Sequence, residues 1–278
     1  CKMNLYYYAG DGQNFGDVLS PYLVNKISAK IDKPVVMIGS ILHLSYPKPI
    51  IVWGPGFIQE GIKVPEVKKL KKIYAVRGPK TRKLLLEQGI ECPEVYGDPA
   101  LILPYLVPKS KNQTTKKVVG ILPHWIDLDE IKNQNFSYDQ NKIDLKIIDI
   151  RSGIEEVIHQ TTVCDIVITS SLHGLILGES YNIPTAFTQI SKKLRGGTFK
   201  FEDYFESTGR SLKIIDWKDA SKRDLGNAIE FAEGTKTPEI DIKKLVDAFP
   251  FNIENKEFLN LVNKNPTLKN LHDSWEKQ

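Results

Sequence analysis

DIVITSSLHGLILGES, residues 165–180, reads as a strand that turns directly into a helix. Ile166, Val167, Ile168 and Thr169 are all β-branched, and such side chains pack well on a pleated surface. An apolar run without polar alternation is the pattern of a strand covered on both faces, as parallel sheets require. Ser170 and Ser171 stand where the helix begins, since a hydroxyl there accepts from the unpaired amides of the first turn. The strand is expected to end near Thr169, with His173 in the first helical turn.

Similar short runs recur on both sides of this stretch. MNLYYY (3–8), PVVMI (34–38), PIIVW (49–53), KIYAV (72–76), VVGIL (118–122) and DLKIIDI (144–150) read as further buried strands. Amphipathic segments lie between several of them. PKTRKLLLEQG (79–89) has Pro79 suited to a first helical position and Gly89 to a stop. SGIEEVIHQ (152–160) has Ser152 and, three residues on, Glu155, the spacing of a capping box. Strands alternating with helices predict an α/β protein built from βαβ units. The polar, aperiodic segment VPKSKNQTTKK (107–117) divides the chain into an N-terminal Rossmann-like domain over 1–107 and a C-terminal one over 118–225. Patterns such as IDIKKLVDAF (240–249) and NKEFLNLVNK (255–264) predict a helical extension over 226–278. Two such domains place a cleft beyond the carboxyl ends of their strands.

Composition narrows the function. The chain has 278 residues, 41% hydrophobic and 26% charged, which excludes a disordered protein. Its three cysteines, Cys1, Cys92 and Cys164, lack metal-ligand spacing, so neither a zinc site nor a disulfide framework is expected. No run is long enough to span a membrane and the start lacks a signal pattern, so a cytoplasmic protein is expected. A net charge of +4 conceals a basic run, from Lys63 through Lys68, Lys69, Lys71, Lys72, Arg77, Lys80 and Arg82 to Lys83. Such a run suits an anionic partner or is a solvated face. No nucleic-acid motif accompanies it.

Candidate site residues follow several strands. A helix N-terminus carries roughly half a positive charge, which disfavours a charged His173 until an anion arrives to reverse that push. The plainer alternative is a serine-capped helix with a partly buried histidine. Gly174 and Gly178 share a helical face and permit close approach of a backbone or ligand. Arg77, at the end of the 72–76 strand in AVRGPKTR (75–82), can hold a carboxylate or phosphate by two parallel hydrogen bonds, or form a salt bridge at a domain edge. GDGQNFGD (10–17) is glycine-rich but departs from the dinucleotide fingerprint, which argues against NAD. Its Asn14 and Asp17 are candidates for contacting acceptor hydroxyls, with a turn and helix cap as the alternative. Asp98 in YGDPALILP (96–104) and His124 in ILPHWIDLDE (121–130) complete a set of titratable groups after different strands.

NFGDVLSPYLV (14–24), VWGPGF (52–57), AVRGPKTR (75–82), YGDPALILP (96–104), LPHWID (122–127), TSSLHGLILGESYNIPT (169–185) and KFEDYFES (200–207) together resemble, in order, the blocks of the polysaccharide pyruvyl transferase family. That resemblance implies a fold similar to the two-domain GT-B glycosyltransferases. It also implies transfer of the pyruvyl group of phosphoenolpyruvate onto two hydroxyls of a sugar, giving a cyclic ketal and phosphate; phosphoenolpyruvate is the donor substrate, no separate cofactor is expected, and no metal site is read from the residues. The acceptor it implies is a lipid-linked oligosaccharide of a bacterial surface polysaccharide, modified at the inner face of the cytoplasmic membrane. It maps a binding arginine to Arg77 and a Leu-His pair to Leu172 and His173. Ser171 stands where some members have arginine, so a phosphate contact made from there must come from elsewhere. On this reading Arg77, Ser170, Ser171, Leu172 and Gly174 bind the donor, Asn14 and Asp17 the acceptor, and His173, Asp98 and His124 share acid and base roles. A sugar-nucleotide glycosyltransferase and a non-catalytic carbohydrate-binding subunit are the competing readings.

Overall fold

The computed structural model describes residues 4–10, 14–192, 195–218, 224–235 and 237–278. β1 (Leu5–Tyr6), β2 (Val35–Val36), β3 (Ile50–Trp53) and β4 (Leu70–Ala75) form a parallel sheet in chain order. β5 (Lys117–Leu122), β6 (Ile143–Ile147), β7 (Ile166–Thr169), β8 (Thr185–Gln189) and β9 (Ile215–Asp216) form a second parallel sheet, ordered β6-β5-β7-β8-β9. The chain is therefore an α/β protein of two Rossmann-like units. The strand order of the second sheet reverses between β5 and β7, and the loops leaving such a switch point diverge and open a crevice.

Helices α1 (Phe15–Lys26), α2 (Pro79–Glu87), α3 (Leu128–Lys132), α4 (Ile154–Thr162), α5 (Leu172–Ser180), α6 (Phe199–Ser207) and α7 (Leu225–Glu233) flank the sheets, and α8 (Ile242–Asp247), α9 (Lys256–Lys264) and α10 (Leu268–Trp275) close the chain. The first sheet departs from the expected alternation, since β2 reaches β3 and β3 reaches β4 without an α-helix. The cover comes from elsewhere, because a parallel sheet must be buried on both faces. Val35, Ile51, Trp53 and Ala75 share one core with α1 and with Leu245 and Phe249 of the chain's last segment. The indole of Trp53 also donates to the Leu245 carbonyl at 2.9 Å. On the other face, Val36, Val52 and Ile73 pack with Leu84 and Leu85 of α2 and with Phe199 of α6.

Two helix starts refine the sequence reading. Gly78 precedes α2 and Pro79 opens it, while Gly89 leaves it at a φ of 73°. The expected capping box at Ser152 does not form. Ser152 Oγ donates to the Asp149 carbonyl, and Gly153, at a φ of 103°, becomes the residue before α4. Entry into that helix needs a positive φ, which glycine adopts without strain.

Candidate active site

The turn after β7 is held by its own hydroxyls. Thr169 Oγ1 donates to the Leu122 carbonyl at 2.6 Å, joining the ends of the neighbouring strands β5 and β7. Ser170 Oγ donates to Asp127 and accepts from the His124 amide at 2.9 Å. Ser171 caps α5 by accepting from the Gly174 amide. Leu172 is buried in the core, and a Cβ on Gly174 would lie 2.4 Å from Thr169 Oγ1, so that glycine seats the helix on the strand beneath it. Gly178 likewise sits on Thr185. Of residues 170–174, His173 is left as the side chain directed away from the turn.

His173 forms the centre of the site. Its Nε2 lies 3.0 Å from Asp98 Oδ2, and Asp98 is 1% exposed with its other oxygen accepting from the Ala100 amide. A carboxylate beside Nε2 keeps a proton on that nitrogen, so Nδ1 is the atom that can take or give one. Nδ1 meets α1 of the other sheet, since a Cβ on Gly16 would fall 2.1 Å from it. Phe15 donates its amide to the Ile150 carbonyl at 3.2 Å, which fixes the start of α1 against the second sheet. Asp98 thus stands as the orienting partner of His173, placed too deeply to meet a sugar hydroxyl directly.

His124 is a different kind of group. Burial, assisted by the Lys200 ammonium, pushes its pKa down to about 4. Its Nδ1 accepts from the Ile126 amide at 3.3 Å, which leaves the proton on Nε2. Around neutral pH it is an uncharged hydrogen-bond donor, poorly suited to removing a proton.

Arg77 is 1% exposed and is tied into the protein. Its Nε donates to Asp203 Oδ2 at 3.0 Å, its Nη1 to the Ser40 hydroxyl and its Nη2 to the Phe57 carbonyl. The Asp203 carboxylate, 0% exposed, also accepts from the amides of Lys80 and Thr81 and from the Thr81 hydroxyl. An aspartate of α6 therefore caps α2, filling the anion position that the arginine and the helix start create. A Cβ on Gly56 would lie 2.5 Å from the guanidinium carbon, so that glycine gives the arginine its passage. Asn14 and Asp17 bond to each other at the start of α1, while residues 11–13 of the glycine-rich stretch lie outside the described residues.

Lys200, in the first turn of α6, is within electrostatic reach of Arg77, Asp17 and His124, three groups from three separate segments. Neither it nor Asp203 nor Gly16 is singled out by local sequence patterns. All three lie in the family-like blocks NFGDVLSPYLV and KFEDYFES, where each signal is present but its partner is distant in the chain.

The profile of the polysaccharide pyruvyl transferase family matches residues 3–188, the span that carries these groups except those of α6. The chain belongs to that family. Among curated proteins, this pyruvyl transferase family member is similar to an uncharacterized protein, L143, of Acanthamoeba polyphaga mimivirus, 26% identical over 75% of each chain. It is also similar to the succinoglycan biosynthesis protein ExoV of Rhizobium meliloti (strain 1021), 25% identical over 74% of this chain and 65% of that protein. No solved structure gives a significant match.

Proposed function

We propose that this family member moves the pyruvyl group of phosphoenolpyruvate onto two hydroxyls of a sugar in a surface polysaccharide precursor, forming a cyclic ketal and releasing phosphate. The observation that carries this reading is the Asp98–His173 pair at the start of α5, with Nδ1 turned toward α1. The likeness to a succinoglycan biosynthesis protein supports a polysaccharide acceptor.

The reaction needs a proton at the methylene carbon, attack of one hydroxyl at the adjacent carbon, loss of phosphate and closure by the second hydroxyl. Of the two hydroxyl protons, one balances the new methyl group and the other leaves with phosphate. His173, charged as the anionic donor arrives at the helix start, supplies its Nδ1 proton to the methylene carbon. The imidazole then recovers a proton from an attacking hydroxyl. Asp98 holds the ring and stabilises its charged form through Nε2. His124, neutral, donates a hydrogen bond from Nε2 to developing negative charge.

The acceptor is proposed to be lipid-linked and met at the inner face of the membrane. Among the described residues no helix is long and apolar enough to cross a bilayer. The test is incubation with phosphoenolpyruvate and a panel of lipid-linked oligosaccharides. A mass gain of one pyruvic acid less one water, with release of phosphate, is expected. A nucleoside diphosphate released from a sugar nucleotide would point to the glycosyltransferase reading instead.

A further inference from the structure

A cavity of about 680 Å³ opens beyond the carboxyl ends of β8 and β9, the side of a parallel sheet on which ligands bind. Its floor is apolar, made by Ile190 directly after β8 and Trp217 directly after β9, both buried. Its wall is the segment leaving α3, where Asn133, Gln134, Asn135 and Ser137 supply amides and a hydroxyl. Phe136, between them, turns the other way and packs edge-on to Trp217 with ring centres 5.9 Å apart. The Ser137 carbonyl accepts from the Leu225 amide that opens α7, at 3.1 Å, so the wall is fixed from two sides. Of its polar side chains, Asn133 alone is engaged by a described residue, through the Asp129 carbonyl at 2.9 Å. The indole N–H of Trp217, a side chain 7% exposed, makes no hydrogen bond with a described residue. Glu130 and Lys218, one of each sign, are the charged groups among the described lining residues. One carboxylate joins this cavity to the candidate active site: Asp127, 0% exposed, accepts from Ser170 Oγ in the α5 turn at 3.1 Å and bonds Ser191, the residue after Ile190.

Resting on the polysaccharide acceptor of the reading above, we propose that this cavity is a subsite for the acceptor's sugar chain, holding neutral sugar units beyond the one that receives the pyruvyl group. A sugar unit offers hydroxyls that both donate and accept, on a ring with an apolar C–H face. Amides and a hydroxyl answer both roles, and the indole and isoleucine floor suits the apolar face. A nucleotide or a phosphate calls instead for several cations or a helix N-terminus, and here a glutamate balances the lysine. Each uncharged hydrogen bond is worth about 2- to 10-fold in affinity, so the selectivity is for a chain that engages several at once. Asp127 keeps the cavity and the His173 turn in one frame, so units held in the cavity set where the next unit meets that turn.

Binding is read first without phosphoenolpyruvate, on an array printed with neutral oligosaccharides from single sugars to long chains, with uridine diphosphate as a competitor. Wild type is expected to retain chains and to pass over single sugars. Gln134→Ala combined with Asn135→Ala removes two side chains that bond to no described residue, so the melting temperature is expected to stay where it was. The double variant is expected to bind the retained chains roughly 10- to 100-fold more weakly, the loss of two such hydrogen bonds. With phosphoenolpyruvate added, its KM for a retained chain is expected to rise by a similar factor while its KM for phosphoenolpyruvate does not move. An array on which wild type retains no neutral chain overturns the subsite, as does retention that the double variant leaves unchanged. Uridine diphosphate that displaces the chains assigns the cavity to a nucleotide and overturns it too. Pyruvyl transfer to a single sugar with no retention of chains leaves the reaction standing and removes the subsite. Chains retained in a manner dependent on Gln134 and Asn135, by wild type that does not consume phosphoenolpyruvate, keep the subsite and remove the pyruvyl reading.

Discussion

At the residue scale the site turns on which nitrogen of His173 is free. Asp98 holds Nε2 at 3.0 Å, so the proposed proton transfer falls to Nδ1. His173→Ala is expected to lower turnover by about 10²–10⁴-fold, the usual worth of a positioned acid or base, and a variant retaining a tenth of the rate removes it from that role. Asp98→Asn preserves shape but loses the charge that stabilises the imidazolium, and is expected to cost a similar factor in kcat with little change in the KM for phosphoenolpyruvate. Steady-state kinetics of both variants separate the proton role from binding. His43, His124 and His272 all have pKa values lowered chiefly by burial. Because each native value lies below that of the unfolded chain, the unfolded chain binds more protons in the interval between them, and stability falls as pH falls through it. For His124 that interval runs from the ordinary value of 6.5 to about 4. Denaturant unfolding at successive pH values should show this decline, and His124→Gln should make it shallower. His173 was legible because it stands in a strand-to-helix turn whose chemistry is local. The role of Asp98 was not, since its partner lies 75 positions away in the chain.

At the scale of elements, two contacts across the gap decide the geometry. Asp203 of α6 caps α2 in place of a local residue, and it neutralises a buried guanidinium at the same time. Asp203→Ala leaves Arg77 buried without its anion and is expected to cost about 3–5 kcal/mol, read by chemical denaturation. An unchanged denaturation midpoint would show that water or another group replaces the carboxylate at no cost. Gly16 brings the start of α1 against His173, and Gly16→Ala puts a methyl group 2.1 Å from Nδ1. Displacement of the imidazole by about an ångström is expected to lower activity roughly 10²-fold. The strand ends and the Pro79 helix follow from periodicity and turn chemistry. The missing helices between β2, β3 and β4 do not, because part of that sheet's cover comes from residues more than a hundred positions further on, Leu245 against Trp53 on one face and Phe199 on the other.

At the scale of the molecule, one apolar core runs through both sheets and the closing helices, with Phe15, Trp53, Val167, Leu175 and Leu245 in a single cluster. The basic run read from the sequence splits in two within this frame, apart from Lys69, whose ammonium donates to the Tyr46 and Pro47 carbonyls. Arg77, Lys80, Arg82 and Lys83 pair with Asp203, Glu202, Glu94 and Glu87. Lys63, Lys68, Lys71 and Lys72, along and ahead of the edge strand β4, are exposed and form no salt bridge with a described residue. That half is the surface proposed to meet an anionic membrane carrying the acceptor. Near such a surface each lysine is worth about 1 kcal/mol, so four together set the affinity. Replacing all four by glutamate is expected to lower sedimentation with vesicles containing anionic lipid by more than about 100-fold, and moderate salt should weaken the wild-type interaction. Activity on a soluble acceptor should stay unchanged, because none of the four contributes to the site. Equal sedimentation of variant and wild type would separate the basic edge from any membrane role while leaving the chemistry at His173 intact.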